Sequence, residues 1–284
     1  MKPRDLVAVL NVPKAERLDL IAEGLELLAE HVSTLRDDLI HLQEAGRSRG
    51  AAVIDGLASE EAAKMLILWD VVRMGWTDID AVRGQLRIFY SHLARGIYAR
   101  LVEGRPANLA EVRGYAESLR HSLYLDGPND VDWIFRNRVE ADREESLYVD
   151  YVTSDGDSGW ITPARLSDLK LSSWPSMVVD LALALHRFGC TSKEALEIIA
   201  REWEGVSLDD DTHWVKVEAI NKSILEKLGT AGLYSDDLKQ VDVRLALEQW
   251  IFPLGGVGFS PIKVTKTELL AERERWVASQ RQKG

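Results

Sequence analysis

Apolar positions near the start of the chain recur at helical spacing. Leu18, Ile21, Leu25, Leu28, Val32, Leu35, Leu39 and Leu42 follow one another in alternating steps of three and four, a stripe along one side of a long helix. Gly46-Arg-Ser-Arg-Gly50 interrupts the stripe and predicts a turn. A second helix is expected from Ala51 to Met74, closed by Gly75. A third should run from Ile79 to Val102, capped by Thr77 or Asp78 and ended by Gly104 and Pro106. Long helices joined by short loops pack antiparallel, so a helical bundle is the expected architecture.

Further along the pattern is less regular. Residues 107–125 predict another helix, the LDGPND segment 125–130 a turn, and 131–146 a charged helix. LYVDYV, 147–152, has strand-like composition but is equally compatible with an extended segment, and SDGDSGWITP after it is expected to be a loop. One or two helices follow over 164–204, where Thr191-Ser192-Lys193-Glu194 has the spacing of a capping box. Residues 212–229 and 235–251 predict helices, GGVGF (255–259) a loop, and 264–281 a charged terminal helix. The expected fold is all-α: an antiparallel bundle over 1–165 and a C-terminal helical extension over 166–284 packed on it. No internal repeat is visible.

Composition narrows the class. The 284 residues carry a formal net charge of −11, with 46% apolar and 29% charged residues, the balance of a globular chain. Cys190 is the one cysteine, which excludes an internal disulfide, a multi-cysteine zinc site and an iron–sulfur cluster. A reducing compartment is expected, and cytoplasm is the default because no leader-like or membrane-spanning apolar run is present. The acid excess argues against indiscriminate coating of nucleic acid, while leaving room for a local basic face that holds a phosphate.

Charges then stand where apolar residues are expected. Glu60, Glu61 and Lys64 interrupt two apolar stripes of the second helix, and both carboxylates are spaced to reach the ammonium. Such charges suit either a surface ion pair or a polar site inside a bundle, and if buried they require partners. On the third helix, Val82, Leu86, Phe89, Tyr90, Leu93 and Ile97 form an apolar arc at about 100° per residue. Arg83, Arg87, Ser91, His92 and Arg95 occupy much of the remainder, a basic back suited to phosphate or to plain solvation.

Arg87 and His92 also match the R-x4–6-H signature of the HEPN superfamily of helical bundles, many of them metal-independent RNases. The same spacing recurs as Arg36 and His41 in the first helix. The ordered set is more specific: GRSRGAAVIDGLASEEAAKMLIL, SHLARGIYARL, REESLYVDYV and WITP. Over about residues 15–205 it resembles the AbiV family of abortive-infection proteins, which is itself similar to HEPN domains and acts in bacterial defence against phage. The family's E-E-x-G-K stretch is matched by Glu60 to Lys64 with alanine for glycine, and its H-x-x-K by His92 to Arg95 with arginine for lysine. Its L-Y-V-D is Leu147 to Asp150, and its W-x-x-P is Trp160 to Pro163.

The resemblance implies an antiphage effector that works as an endoribonuclease or translation inhibitor, with two subunits pairing around one RNA backbone. It implies His92 as the proton-transfer group and Arg87 as the stabiliser of charge on the phosphorane, without metal or cofactor. Arg83 and Arg95 would contact phosphate or orient the site, Glu60, Glu61 and Lys64 would brace it, and Tyr148 and Asp150 would support it or touch RNA. Partners implied are an RNA substrate, a phage-protein trigger and a second copy of the chain, with no membrane. The alternative is a non-catalytic helical module that binds a phage protein or RNA.

Other features are expected to be inert. Asp155 and Asp157 lack an EF-hand pattern, and Asp209, Asp210, Asp211 and His213 read as a solvated loop. Gly255-Gly-Val-Gly258 is not placed as a nucleotide loop. His31, His41, His121 and His186 read as structural, and Tyr148 and Trp160 by residue type as core anchors.

Overall fold

A computed structural model of the chain describes residues 5–121, 137–154, 157–163, 175–250, 252–263 and 265–281. After a 3-10 turn over Leu6–Asn11 come α1 (Lys14–Glu44) and α2 (Ser48–Met74). The first stripe behaves as its spacing predicts: Ile21, Leu25, Val32, Leu35 and Leu39 are buried, while Leu18, Leu28 and Leu42 are half-buried. α2 is the central helix. From Ala62 to Arg73 it is buried nearly all round except at Lys64, as expected of a helix with neighbours on every side. Gly75, at φ +68°, closes it.

The expected third helix is two helices. α3 (Ile79–Ile88) is capped by Asp78, whose carboxylate accepts from the Asp80 and Ala81 N–H groups. The chain then turns through Phe89 and Tyr90, and α4 (His92–Glu103) starts afresh with Ser91 as its cap, the hydroxyl accepting from the Ala94 N–H. Serine competes for backbone hydrogen bonds and so can end one helix and begin another. Arg83 and Arg87 therefore belong to α3 and His92 and Arg95 to α4, and the single basic back predicted from one continuous helix does not exist.

α5 (Leu109–Arg120) and α6 (Arg138–Leu147) follow, and α6 leads into a hairpin of β1 (Asp150–Ser154) and β2 (Asp157–Ile161). The strands pair antiparallel with Asp150 opposite Ile161 and Tyr151 opposite Trp160. The expected loop is thus largely a strand, and the chain is predominantly helical with one small sheet. The expected turn at 125–130 and the start of the helix predicted over 131–146 lie outside the described residues. So does the junction at 165/166, in the 164–174 segment.

α7 (Met177–Arg187), α8 (Lys193–Trp203), α9 (Trp214–Thr230), α10 (Gln240–Glu248) and α11 (Lys266–Arg281) complete the chain. The α8 cap is Ser192, one residue beyond the predicted Thr191, whose hydroxyl instead bonds Glu26 on α1. One cluster of buried side chains runs from Ile21 to Leu254, so α7 to α10 share a core with α1, α2 and α4. Trp250, Phe252 and Leu254 return the chain onto that core, and Phe259 stacks on Tyr98 of α4 at 5.7 Å.

α6 is seated against α4 by close packing. A Cβ added at Gly96 would stand 2.1 Å from Cγ1 of Val139, while Arg100 of α4 donates to Asp142 of α6. Gly96→Ala is therefore expected to destabilise the protein by about 1–3 kcal/mol by overpacking. Val139→Ala in the same chain should restore part of the loss in a urea melt, and equal stability of the single variant and the parent would contradict this contact.

Candidate functional site

Glu60 is the hub of the polar cluster. It sits midway along α2 with a side chain only 15% exposed, so its carboxylate needs partners, and three side chains provide them. His92 Nδ1 lies 2.8 Å from Oε2, Arg95 Nη1 lies 3.2 Å from the same oxygen, and Arg143 Nε donates to Oε1 at 2.9 Å. Two of these partners open α4 and the third comes from α6. The Ser91 cap sets His92 as the first residue of α4 and Arg95 one turn on.

The imidazole has two mutually exclusive arrangements. Nδ1 is also 2.9 Å from Nη2 of Arg95. With a proton on Nδ1 it donates to Glu60, and without one it accepts from Arg95. A bond to a carboxylate is the stronger of the two, which favours the proton on Nδ1 and leaves Nε2 with its lone pair. The His92 side chain is 51% exposed, whereas that of Arg95 is 8% exposed. His92 can meet a substrate. Arg95 holds the Glu60 carboxylate, the His92 ring and the Ser91 carbonyl from within, an arrangement that suits the second of its two expected roles, orienting the site.

The other candidates divide. Lys64 donates to Glu61 at 2.5 Å and lies 5.4 Å from the centre of the Phe89 ring, at the turn between α3 and α4. Glu60 does not share that ammonium, contrary to the spacing argument, because it faces α4 and α6 instead. Arg87 is exposed in the last turn of α3 and makes no hydrogen bond or ion pair with a described residue. Arg83 pairs with Asp80 on its own helix and stands apart from the Glu60 cluster.

Tyr148 ends α6, with 55% of its surface exposed, and Asp150 opens β1; neither bonds to the Glu60 cluster. Trp160 is 70% exposed and meets Tyr151 edge-on at 5.3 Å. The expectation that Tyr148 and Trp160 anchor the core is overturned, because Tyr148 at the end of α6 and Trp160 on β2 are both exposed. Arg143 was missed by the sequence reading. Its signal was its place as first residue of REESLYVDYV, without any means of knowing that it faces Glu60.

A second polar cluster lies deeper. Asp70 accepts from Arg73 Nη1 at 3.2 Å, from the Tyr98 hydroxyl at 2.7 Å and from the Leu254 N–H at 2.8 Å. Gln85 of α3 donates to the Tyr98 oxygen at 2.5 Å. Arg73 lies under Trp203 at 4.3 Å and Trp250 at 4.9 Å. Burial raises the Asp70 pKa against the pull of Arg73, and burial lowers that of Arg73 to about 10 despite Asp70. These groups join α2, α3, α4 and the returning chain, and all four side chains are buried.

Among the described residues no three His, Cys, Asp or Glu side chains gather in a metal-holding group, and no helix is long and apolar enough to cross a membrane. Comparison with family models, with curated proteins and with solved structures finds no match to this chain.

Proposed function

We propose that the protein is an antiphage effector of the abortive-infection type, a HEPN-like domain that acts as a metal-independent endoribonuclease or translation inhibitor in the cytoplasm. One observation carries the reading: an exposed imidazole held at Nδ1 by a half-buried carboxylate that two arginines flank. In that setting Nε2 of His92 takes the proton of a ribose 2′-OH. The freed oxygen attacks the adjacent phosphorus, and the 5′-oxygen leaves with a proton returned by the imidazolium. Glu60 fixes the ring and its tautomer, as the carboxylate of a catalytic triad does. Arg87 supplies the charge for the phosphorane oxygens and reaches the site on RNA binding or from a second copy of the chain. A phage protein would act as the trigger.

The test is cleavage of total RNA by the purified protein. His92→Ala should reduce it by about 100- to 10,000-fold, and Arg87→Ala should reduce it while leaving circular dichroism unchanged. DNA should resist cleavage because it lacks the 2′-OH. Full cleavage by both variants, or phage protection that survives both substitutions, removes the nuclease reading.

A second reading, a non-catalytic module that binds a phage protein, has its own observation. Tyr148, Val149, Tyr151 and Trp160 are exposed on and beside the hairpin. Exposed apolar and aromatic side chains gathered in one place suit a protein surface.

A further inference from the structure

Of the four side chains in the Glu60 cluster, two are largely enclosed and two reach the surface. Glu60 and Arg95 are the enclosed pair, whereas the Arg143 side chain is 37% exposed and that of His92 more so. The two that reach solvent are bonded to the two oxygens of one carboxylate, His92 Nδ1 to Oε2 and Arg143 Nε to Oε1. A group that approaches the imidazole from solvent therefore finds Arg143 as the cation of the cluster that it can meet. α6 is fixed in place for this, with Val139 packed against Gly96 of α4 and Asp142 accepting from Arg100.

The neighbouring charges are directed elsewhere. Lys64 is held by Glu61, Arg100 by Asp142, and Glu140 accepts from Asn137 at the start of α6. Arg87 lies on α3 with no bond to the cluster. Because Glu140, Asp142 and Glu144 share α6 with Arg143, this is no broad basic patch, and placement beside His92 is what singles Arg143 out.

We propose that Arg143 is a catalytic residue that donates to one non-bridging oxygen of the scissile phosphate, an inference that rests on the endoribonuclease reading. In that reaction the bond from the 2′-oxygen to phosphorus forms as the bond from phosphorus to the 5′-oxygen breaks. The 2′-OH proton passes to Nε2 of His92 and from there to the 5′-oxygen, leaving a 2′,3′-cyclic phosphate and a 5′-hydroxyl. Arg143 exchanges no proton and stays cationic throughout. Negative charge grows on the non-bridging oxygens as the phosphorane forms, and a donor already in position stabilises it without reorganisation. The planar guanidinium suits the task, because its N–H groups fan out and can serve Glu60 and a phosphate oxygen from one fixed plane. Arg87 then serves the other non-bridging oxygen.

The test is single-turnover cleavage by the full chain of a short RNA with a phosphorothioate of either configuration at the bond that the parent cuts. Arg143→Ala should lower the rate on the unmodified RNA by about 100-fold or more with circular dichroism unchanged. Arg143→Lys, which keeps the charge without the fork, should fall between that variant and the parent. Sulfur in place of the oxygen that Arg143 meets should slow the parent, and Arg143→Ala should lose this preference between the two configurations. A residue that only positions Glu60 would leave the preference as it is. Cleavage by Arg143→Ala at the parent's rate, or a preference that survives the substitution, would overturn the assignment, and a loss confined to His92→Ala would leave the nuclease reading standing without it. Absence of RNA cleavage by the parent removes that reading and this inference together.

Discussion

Replacing Arg73 with methionine is expected to lower the free energy of unfolding by about 3–5 kcal/mol, read as a lower urea midpoint at unchanged slope. The substitution leaves the Asp70 carboxylate in the core with only the Tyr98 hydroxyl and the Leu254 N–H against its charge. It also removes the guanidinium that lies against Trp203 and Trp250. The pair is not expected to be a large net stabiliser, because burial already works against both charged forms, raising Asp70 and lowering Arg73. Hence Asp70→Leu combined with Arg73→Met should recover a good part of the loss, since a buried ion pair can often be exchanged for apolar volume. A loss below about 1 kcal/mol in the single variant would mean that water reaches Asp70 and that the core is looser there than the 2% exposure of that residue implies.

Glu60→Gln is expected to reduce RNA cleavage by about 100-fold or more with the fold retained, if His92 is the proton-transfer group. The amide is nearly the same size as the carboxylate and can still accept from Arg143 through its oxygen, with its NH2 group in the place of the oxygen that His92 and Arg95 share. Its NH2 group, however, can donate to Nδ1, which moves the imidazole proton to Nε2 and removes the base. The distinguishing readout is the pH–rate profile. A purely structural role would scale the rate evenly across pH, whereas loss of the orienting carboxylate should change the acidic limb, on which a general base gains activity as it loses its proton. Unchanged cleavage in Glu60→Gln would leave His92 without its proposed partner.

Local order was largely legible before any tertiary contact was known. The stripe from Leu18 to Leu42, the stop at Gly75 and the cap at Asp78 are all short-range features, and each is found as its residues imply. Ser91 shows the limit of that reading. It stands inside an apolar rhythm that runs unbroken from Val82 to Ile97, and the rhythm is compatible with one helix or two. A hydroxyl that can cap a new helix or point to solvent within an old one leaves the choice to packing. Thr191 and Ser192 differ by one position in the same way, the neighbouring Glu26 taking up the threonine hydroxyl.

The polar clusters were legible only in part. Glu60, Glu61 and Lys64 were conspicuous because they break apolar stripes, but the ion partner of Glu60 on α6 is 83 residues away in sequence. Asp70 and Arg73 escaped notice altogether within the apolar run from Met65 to Met74, although they form the most buried ion pair among the described residues. The exposure of Tyr148 and Trp160 is not legible in the sequence, because ring type carries no information about which side of a helix end or a strand meets solvent.

From its amino-acid order alone the chain determined a mainly helical build, the position of most helix ends and a set of misplaced charges worth following. Periodicity and capping act over a single turn of backbone and are therefore written locally. The tertiary structure decided that Arg87 and His92 stand on separate helices, that Arg95 is sequestered behind the imidazole and that Arg143 completes the Glu60 cluster. Those outcomes depend on which surfaces meet across the core, and a charge acquires its partner only when distant segments have already packed.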